Sequence, residues 1–412
     1  MIDLQLLREK PDYVLANIAR KDPHFNGKAL VELDEQVRKL QVELDQLRSQ
    51  KNELAKQGQK GVTQELRDQS VVLANQIKQQ EEELERVQKE FKYLYLRCPN
   101  ILMDDVPEGN KESNVVIKTV GKKPEFAFPI KNHLELGNAL GWFDFEAAAR
   151  MSGTQFSLYK NEAVRVMYSL MLFMLNNNMR HGYNPVIPPY LVNEQALEGA
   201  GNFPRFKDEV YHLPEDNLYL TPTSEVNLTS IYRDTILGQE KLPVRLTAWT
   251  SCFRREAGGY GASERGLIRM HQFEKIELYA LTAPEHSAQE QERMLACAES
   301  ILQSLGLHYR VSLLAAQDCS FSSAKTYDIE VWMPGQKEYK EVSSVSNCTT
   351  FQARRSAIRY KSSATTKPQL VHTLNASSLA LPRLMVALME TYQQEDGSIA
   401  LPQILQEVSI SL

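Results

Sequence analysis

Two stretches near the start of the chain repeat apolar residues at alternating spacings of three and four. In the first, leucines stand at positions 30, 33, 40, 44, 47 and 54, with Val37 among them. In the second, the apolar seam runs through Leu66, Ser70, Leu73, Ile77, Gln80, Leu84, Val87, Phe91 and Leu94. Both stretches are rich in Glu, Gln, Lys and Arg, which is typical of coiled-coil heptads. The pattern therefore predicts two long amphipathic helices.

Residues 58–63 separate the two seams and carry helix-stop and helix-start signals. Gly58 and Gly61 can take positive φ to end the first helix, and Thr63 can cap the second. Two helices of similar length joined by so short a turn predict an antiparallel hairpin over about residues 28–96, with each helix about 45 Å long. We call this hairpin the arm. Heptads alone favour a dimerising coiled coil or a spacer, because they indicate how helices pack and not which partner they bind.

The charges of the arm are unevenly distributed along its length. Basic residues gather near the predicted tip, whereas acidic residues 81–83 and 85 lie nearer the rest of the chain. The tip residues of interest are Arg48, Lys51, Lys56 and Lys60. A rod with a basic tip suits contact with a phosphate backbone.

The hydrophobic pattern changes after Asn100. Residues 101–129 contain several Asp, Pro and Gly residues and are predicted to form a linker between an N-terminal domain, 1–100, and a larger domain, 130–412. The larger domain mixes helical segments, such as 162–180 and 284–305, with short alternating segments, such as 310–314 and 328–332. It has no βαβ rhythm, dinucleotide fingerprint or Walker loop. We therefore predict an α+β domain with an antiparallel sheet.

Composition and charge restrict the class of protein. The 412 residues are 42% hydrophobic and 24% charged, which excludes a disordered or collagen-like chain. The net charge of -5 means that a nucleic acid would have to be held by a local basic patch. The five cysteines are widely spaced, which argues against a disulfide framework or a zinc ribbon. No segment is apolar enough to predict a membrane span, and we expect a reduced, cytoplasmic protein.

The strongest chemical signal lies between residues 253 and 273. Phe253-Arg254-Arg255-Glu256 leads into a segment with Gly258, Gly259 and Gly261, and Arg265 to Phe273 follow. An arginine at a strand end, a glycine-rich loop and a returning strand with Arg and Phe suit the binding of a ligand that carries phosphate groups. Guanidinium groups match phosphate oxygens bidentately and stay charged.

Two further segments complete a set of three. Residues 182–191, GYNPVIPPYL, pass from a predicted helix end into a strand, and residues 374–383, LNASSLALPR, open a predicted helix. The three segments together resemble the signature motifs of class II aminoacyl-tRNA synthetases and, more specifically, the bacterial-type seryl-tRNA synthetase family. The resemblance covers nearly the whole chain, including the arm. It implies a class II catalytic domain, with an antiparallel sheet and helices, preceded by an antiparallel coiled-coil arm, in a cytoplasmic homodimer joined through the first segment.

The resemblance also implies an ATP site. Arg254 and Arg383 would act as the catalytic residues on the α- and γ-phosphates, Glu256 would accept from the adenine amino group, and Phe273 would stack on the base. The remaining residues implied for ATP are Arg255, Glu341, Val342, Ser343 and Ser344. Glu341 and Ser344 would also hold Mg²⁺, for which carboxylate and hydroxyl oxygens are suitable ligands.

A serine site and a tRNA site follow from the same resemblance. The residues implied to bind L-serine are Thr223, Ser224, Glu225, Glu277 and Ser377. Arg48, Lys51, Lys56 and Lys60 of the arm would contact tRNA(Ser), with tRNA(Sec) as a second candidate acceptor. The expected reaction is the ATP-dependent activation of serine to seryl-adenylate, followed by transfer of the seryl group to the 3′ end of the tRNA.

The third segment departs from the family pattern. Ala376, Ser378 and Pro382 replace the glycines usual there, although Arg383 is kept. Ala and Ser do not tolerate positive φ as Gly does. This departure leaves open a catalytically silent relative that binds tRNA or a protein through its arm. A ligase with a different acceptor is the other alternative, and the long hairpin argues against it.

Overall fold

The computed structural model describes residues 1–59, 61, 63–256, 266–363 and 365–407. The chain divides into two compact units, Ile2–Pro99 and Asn100–Leu412, with Met1 assigned to the second. The described part of the first unit is helical. Its helices are α1 Leu4–Glu9, α2 Pro11–Lys21, α3 Gly27–Gly58 and α4 Gln64–Leu96.

Helices α3 and α4 form the predicted antiparallel arm. Their apolar seams meet in a cluster of Leu44, Leu73, Ile77 and Leu84, all buried. Thr63 caps α4 as predicted, because its side chain accepts a hydrogen bond from the backbone N–H of Leu66 at 3.2 Å. Burial of the two apolar seams against each other stabilises the arm.

The second unit contains the strands of the fold. They are β1 Val115–Val120, β2 Asn184–Val186, β3 Leu191–Val192, β4 His212–Leu213, β5 Leu218–Leu220, β6 Ile236–Gly238, β7 Val244–Phe253, β8 Gln272–Thr282, β9 Tyr309–Leu313, β10 Lys325–Met333, β11 Glu338–Thr349, β12 Arg359–Lys361, β13 Gln369–Leu370 and β14 His372–Ala380. Among the described residues, the main sheet has the order β1-β9-β10-β11-β14-β8-β7-β2. All of its neighbours are antiparallel except β2 and β7. The predicted α+β class with an antiparallel sheet is confirmed.

Helices cover the sheet of the second unit. They are α5 His133–Leu140, α6 Phe145–Ser152, α7 Glu162–Arg180, α8 Glu194–Ala200, α9 Ser224–Ile231, α10 Ser287–Ser304, α11 Phe351–Arg355, α12 Leu381–Tyr392 and α13 Gln403–Gln406. The largest apolar core joins α7, α10 and α12 to the sheet through side chains such as Leu170, Met294 and Met385. None of the described helices combines the length and apolar character that a membrane span requires.

The prediction of a linker over 101–129 needs correction. Val115–Val120 forms β1, an edge strand that pairs with β9 in antiparallel register. Leu102 and Val106 are buried together with Leu314 and Cys319. The sequence did not predict β1 because the strand is only six residues long and is flanked on both sides by Asp, Pro and Gly residues, which are typical of loops.

The five cysteines are buried and none is joined in a disulfide. Burial raises the pKa of the Cys252 and Cys297 thiols. Buried thiols with raised pKa values behave as small apolar side chains, which agrees with the prediction that no disulfide framework holds this fold.

Candidate active site

A cavity of about 290 Å³ opens where β7, β8, β11 and the start of α12 meet. Seven of its lining residues were predicted for the site: Arg254, Glu256, Phe273, Glu341, Val342, Ser377 and Arg383. The others are Leu267, Ile268, Arg269, Met270, Lys275, Ala380 and Pro382. The antiparallel pairing of β7 with β8 brings the two ends of the 253–273 segment together, with Cys252 opposite Phe273. The fold therefore brings most of the residues predicted for the nucleotide site to this cavity.

The two predicted catalytic arginines are held by backbone carbonyls. Arg254 donates from Nε to the carbonyl of Pro222 at 3.3 Å, and its guanidinium lies 5.2 Å from the centre of the Phe273 ring. Arg383 donates from a terminal nitrogen to the carbonyl of Glu341 at 2.7 Å. A carbonyl partner orients a guanidinium without neutralising its charge, so Arg254 remains available for phosphate oxygens. Arg383 also lies 3.7 Å from the half-exposed Glu341 carboxylate, a partner that it can exchange for a phosphate.

Glu256 lines the cavity in an ion pair. Its Oε2 lies 2.6 Å from a terminal nitrogen of Arg269, which comes later in the same 253–273 segment. The predicted glycine-rich stretch, with Gly258, Gly259, Gly261 and Arg265, falls outside the described residues. The pair fixes the Glu256 carboxylate at the edge of the cavity, where the other oxygen can accept from an amino group.

A compact polar cluster adjoins the cavity through Lys275. The Lys275 ammonium lies 2.7 Å from Thr223 Oγ1, to which it donates, and 2.5 Å from Glu277 Oε2. Thr223 in turn donates to the same Glu277 oxygen at 2.9 Å. Ser377, which lies opposite Glu277 in the β14–β8 register, lines the cavity. Thr223, Glu277 and Ser377 were predicted to contact serine, and the fold brings them to one place.

Glu225 is the second buried carboxylate near this cluster, with Glu277 and Lys275 as charged neighbours. Its Oε1 accepts from Gln352 Nε2 at 2.5 Å and from Asn375 Nδ2 at 3.0 Å. Burial, and then the negative charge of Glu277, raise the pKa of Glu225 to about 7. A buried carboxylate of this kind is suited to a cationic ligand, because an ammonium group would stabilise its ionised form.

The predicted metal ligands, Glu341 and Ser344, stand on β11 and are placed differently. The Glu341 carboxylate is about half exposed, lines the cavity, and lies 3.7 Å from a terminal nitrogen of Arg383. Ser344 is absent from the cavity lining, pairs with Asp328 across the strands, and donates a hydrogen bond to the Asp328 carboxyl. Burial, and then the Glu341 charge, raise the pKa of Asp328 well above its usual range. No group of three or more His, Cys, Asp and Glu side chains in the described ranges could hold a metal alone.

Three other predicted residues lie away from the cavity wall. Arg255 is exposed, and its backbone N–H donates to the carbonyl of Glu209 at 2.8 Å. Ser224 is fully buried at the start of α9. Ser343 is also buried, and its hydroxyl donates to the carbonyl of Ser377. The Ser343 contact supports the strand that carries Ser377.

The predicted tRNA contacts stand on α3, except Lys60, which lies outside the described residues. Arg48 and Lys56 form ion pairs of 2.7 Å with Glu81 and Glu53, and Lys51 is exposed. These pairs are between side chains at least about half exposed. Such surface pairs contribute little free energy and can be exchanged for a phosphate partner.

The departures in the third segment cause no backbone strain. Ala376 and Ser378 lie inside β14 rather than in a turn, and neither has a positive φ. The register of β14 against β8 shifts between Ser377 and Leu379, so Ser378 is the extra residue of a bulge. Pro382 sits in the first turn of α12, where its missing N–H costs nothing.

Sequence reasoning missed Lys275, Gln352 and Asn375. Lys275 had a signal, because it alternates with Phe273 and Glu277 and must share their face of β8. Gln352 and Asn375 bind Glu225 from α11 and β14, more than a hundred residues away. Only the assembled sheet reveals these two contacts.

Comparison with known proteins agrees with this geometry. Residues 1–102 match the family model described as "Seryl-tRNA synthetase N-terminal domain", and residues 206–392 match "tRNA synthetase class II core domain (G, H, P, S and T)". A serine–tRNA ligase of Acidithiobacillus ferrooxidans is 46% identical over 98% of this chain and 97% of its own length.

Solved structures resemble the chain over the same extent. Seryl-tRNA synthetase from Pyrococcus horikoshii, complexed with ATP, superposes with a TM-score of 0.92 at 34% identity and covers 99% of this chain and 98% of that one. Cytoplasmic serine–tRNA ligase from Naegleria fowleri, in complex with AMP, has a TM-score of 0.85 at 26% identity, with 99% and 97% coverage. The chain belongs to the seryl-tRNA synthetase family, and it is accordingly an aminoacyl-tRNA ligase.

Proposed function

We propose that this chain activates L-serine with ATP and transfers the seryl group to the 3′ end of tRNA(Ser). The observation that carries the proposal is the adjacency of two subsites. A cavity with two carbonyl-held arginines and Phe273 continues, through Lys275, into a cluster of buried acidic and hydroxyl groups. The first subsite suits a nucleotide, and the second suits a small amino acid with a hydroxyl group.

The first step needs alignment and charge stabilisation more than proton transfer. The serine carboxylate is already an anion and attacks the α-phosphate in line. A bond forms between the carboxylate oxygen and the α-phosphorus, while the bond from the α-phosphorus to the bridging oxygen breaks and pyrophosphate leaves with that oxygen. Arg254 stabilises the negative charge that develops on the α-phosphate oxygens, and Arg383 holds the γ-phosphate. The α-ammonium group pairs with Glu225, and the hydroxyl donates to Glu277. The terminal ribose hydroxyl of tRNA then attacks the adenylate carbonyl and releases AMP.

Glu341 and Ser344 would hold Mg²⁺ beside this cavity. The half-exposed Glu341 carboxylate, near Arg383, would supply one hard oxygen ligand, and the Ser344 hydroxyl would supply a second if it released Asp328. Mg²⁺ usually takes one or two carboxylates and completes its coordination with waters and phosphates. When bound, the ion would neutralise charge on the departing pyrophosphate.

We also propose that the functional form is a cytoplasmic homodimer. Supporting this, Ile187, Leu191 and Ile231 expose apolar side chains around a groove of about 450 Å³, and Ile187 is 85% exposed. An exposed apolar cluster of this kind is typical of a protein interface. In analytical ultracentrifugation, Ile187→Asp is expected to sediment as a monomer and wild type as a dimer. An Ile187→Asp variant that remains dimeric would show that this surface is not the dimer interface.

We propose that the arm binds the phosphate backbone of the tRNA. The N-terminal domain is proposed at residues 1–100, and the catalytic domain at residues 130–412 together with the preceding segment that carries β1. Charging of unfractionated tRNA with labelled serine by the full chain tests the complete function. We expect labelled serine to be incorporated into acid-precipitable tRNA. Periodate oxidation of the terminal ribose of the tRNA should abolish this incorporation. Activation of serine without any transfer to tRNA would instead support a ligase with another acceptor.

A further inference from the structure

Lys275 is a lysine buried inside the amino-acid subsite. It lies on β8 between Phe273 and Glu277, and only 6% of its surface is exposed. Successive side chains of a strand point to opposite faces, so these three share the face that meets the cavity. Burying an ammonium group is costly unless it is paired and hydrogen-bonded. Its partners therefore indicate why it is there.

Its contacts close a triangle with Thr223 and Glu277. The ammonium donates to Thr223 Oγ1 at 2.7 Å and lies 2.5 Å from Glu277 Oε2, and Thr223 donates to that oxygen at 2.9 Å. Among the residues that the structure describes, the two contacts made to the Glu277 carboxylate both reach Oε2. Glu277 Oε1 is left to accept from a ligand, and the carboxylate is held in a single orientation.

Lys275 also sets the charge of the subsite. Glu225 and Glu277 are two carboxylates close enough for each to affect the other, and Lys275 and Arg254 are the neighbouring cations. Arg254 is held by the Pro222 carbonyl beside Phe273, on the nucleotide side. Lys275 thus neutralises one of the two carboxylates. When Glu225 is ionised, the two carboxylates and Lys275 together carry a net charge of about -1, which matches one α-ammonium group.

We infer that Lys275 is a specificity-determining residue that makes the subsite select a β-hydroxy α-amino acid. By occupying Glu277 Oε2, it prevents Glu277 from competing with Glu225 for the ammonium group and reserves Oε1 for the hydroxyl. This inference rests on the proposed function. Removing the ammonium frees Glu277 to bind the ammonium of any small amino acid, so the preference for serine over alanine falls.

The test compares Lys275→Met and Lys275→Gln with wild type. Methionine keeps the apolar stem, and glutamine keeps a hydrogen-bond donor without the charge. We expect Lys275→Met to lower the serine-to-alanine ratio of kcat/KM in ATP–pyrophosphate exchange by at least about tenfold, with the KM for ATP changed less than about threefold. Lys275→Gln should recover part of the ratio.

A matched control separates selectivity from folding. Arg245→Met removes another partly buried cation from the same sheet, since Arg245 on β7 pairs with Glu290 at 2.6 Å outside the cavity. It should lower thermal stability without changing the ratio. The inference would be overturned by a Lys275→Met protein that unfolds at the same temperature as wild type and keeps the wild-type serine-to-alanine ratio of kcat/KM. A wild-type ratio in Lys275→Gln would overturn it as well.

A binding measurement keeps this inference distinct from the proposed function. Calorimetry with non-reacting sulfamoyl analogues of seryl- and alanyl-adenylate requires no turnover. We expect wild type to favour the seryl analogue, Lys275→Met to lose at least about tenfold of that preference, and Lys275→Gln to lose a smaller part of it. Equal preferences in wild type and variants refute the role of Lys275, whatever the activity. A wild type that binds the seryl analogue but catalyses no exchange refutes the proposed function alone.

Discussion

Ser378 donates a hydrogen bond from its hydroxyl to Oδ1 of Asn178 at 3.0 Å, and both residues are fully buried. Asn178 also donates to Thr247 Oγ1 at 2.9 Å, and Thr247 donates to the carbonyl of Glu277 at 2.8 Å. The serine that replaces a family glycine is therefore part of a buried network. That network joins α7 to the two strands that carry Ser377 and Glu277.

Restoring glycine at this position should cost stability and give no gain in activity. In Ser378→Gly, the buried Asn178 oxygen keeps only the weak Cys297 thiol donor at 3.5 Å. We expect the free energy of unfolding, measured with urea, to fall by about 1 to 2 kcal/mol. Ala376→Gly is the control, because Ala376 makes no side-chain hydrogen bond. An inactive wild type and an active Ala376→Gly/Ser378→Gly variant would identify a silenced relative.

Arg383 should be required for activation. Its guanidinium faces the cavity while the Glu341 carbonyl holds it in place. Arg383→Ala is expected to lower kcat/KM for serine-dependent exchange by at least about a hundredfold. Arg383→Lys should recover only part, because a point charge cannot reproduce a bidentate fork. Full recovery by lysine would show that the role needs charge alone.

The arm should be separable from the chemistry of activation. Its apolar cluster is internal, so replacing residues 36–90 with a short Gly-Ser turn removes Leu44, Leu73, Ile77 and Leu84 together. We expect ATP–pyrophosphate exchange to survive and tRNA charging to be lost. The proposed tRNA role of the arm fails if the truncated, folded protein charges tRNA as efficiently as the full chain.

Serine binding should depend on the ionisation of Glu225. Its pKa of about 7 means that the carboxyl is largely protonated below that pH and cannot pair with an ammonium group. The KM for serine should therefore fall by about tenfold as the pH rises from about 6 to about 8, with Glu277, Lys275 and Arg254 as the charged neighbours. Glu225→Gln should have a high KM that varies little over this range. A wild-type KM that is flat with pH would contradict the role of Glu225.

Glu277 should set the preference for a hydroxyl group. Glu277→Ala is expected to lose about 2 to 4 kcal/mol in serine activation while ATP binding stays largely intact, because its removal leaves buried Lys275 and Thr223 donors without this acceptor. Exchange with serine and alanine measures the effect. An unchanged preference for serine would remove Glu277 from the pocket.

Local patterns were sufficient to predict the arm, because a heptad seam and the Thr63 cap depend on neighbours in sequence. Helix α7 was also predicted with its observed bounds, Glu162–Arg180. Strand β1 was missed because its partner, β9, is nearly two hundred residues away. For the same reason, the positions of Lys275 and Gln352 around the two glutamates emerge only when the sheet is assembled. The site predictions came from resemblance, and the structure adds the geometry that relates them.

The most direct test of the account is ATP–pyrophosphate exchange by the wild-type chain with each of the twenty amino acids. We predict that serine supports exchange far above every other amino acid, because it offers an ammonium group to Glu225 and a hydroxyl to Glu277 without the additional methyl group of threonine. Exchange that is absent with all twenty, or that is supported best by another amino acid, would contradict the assignment of serine activation to this site.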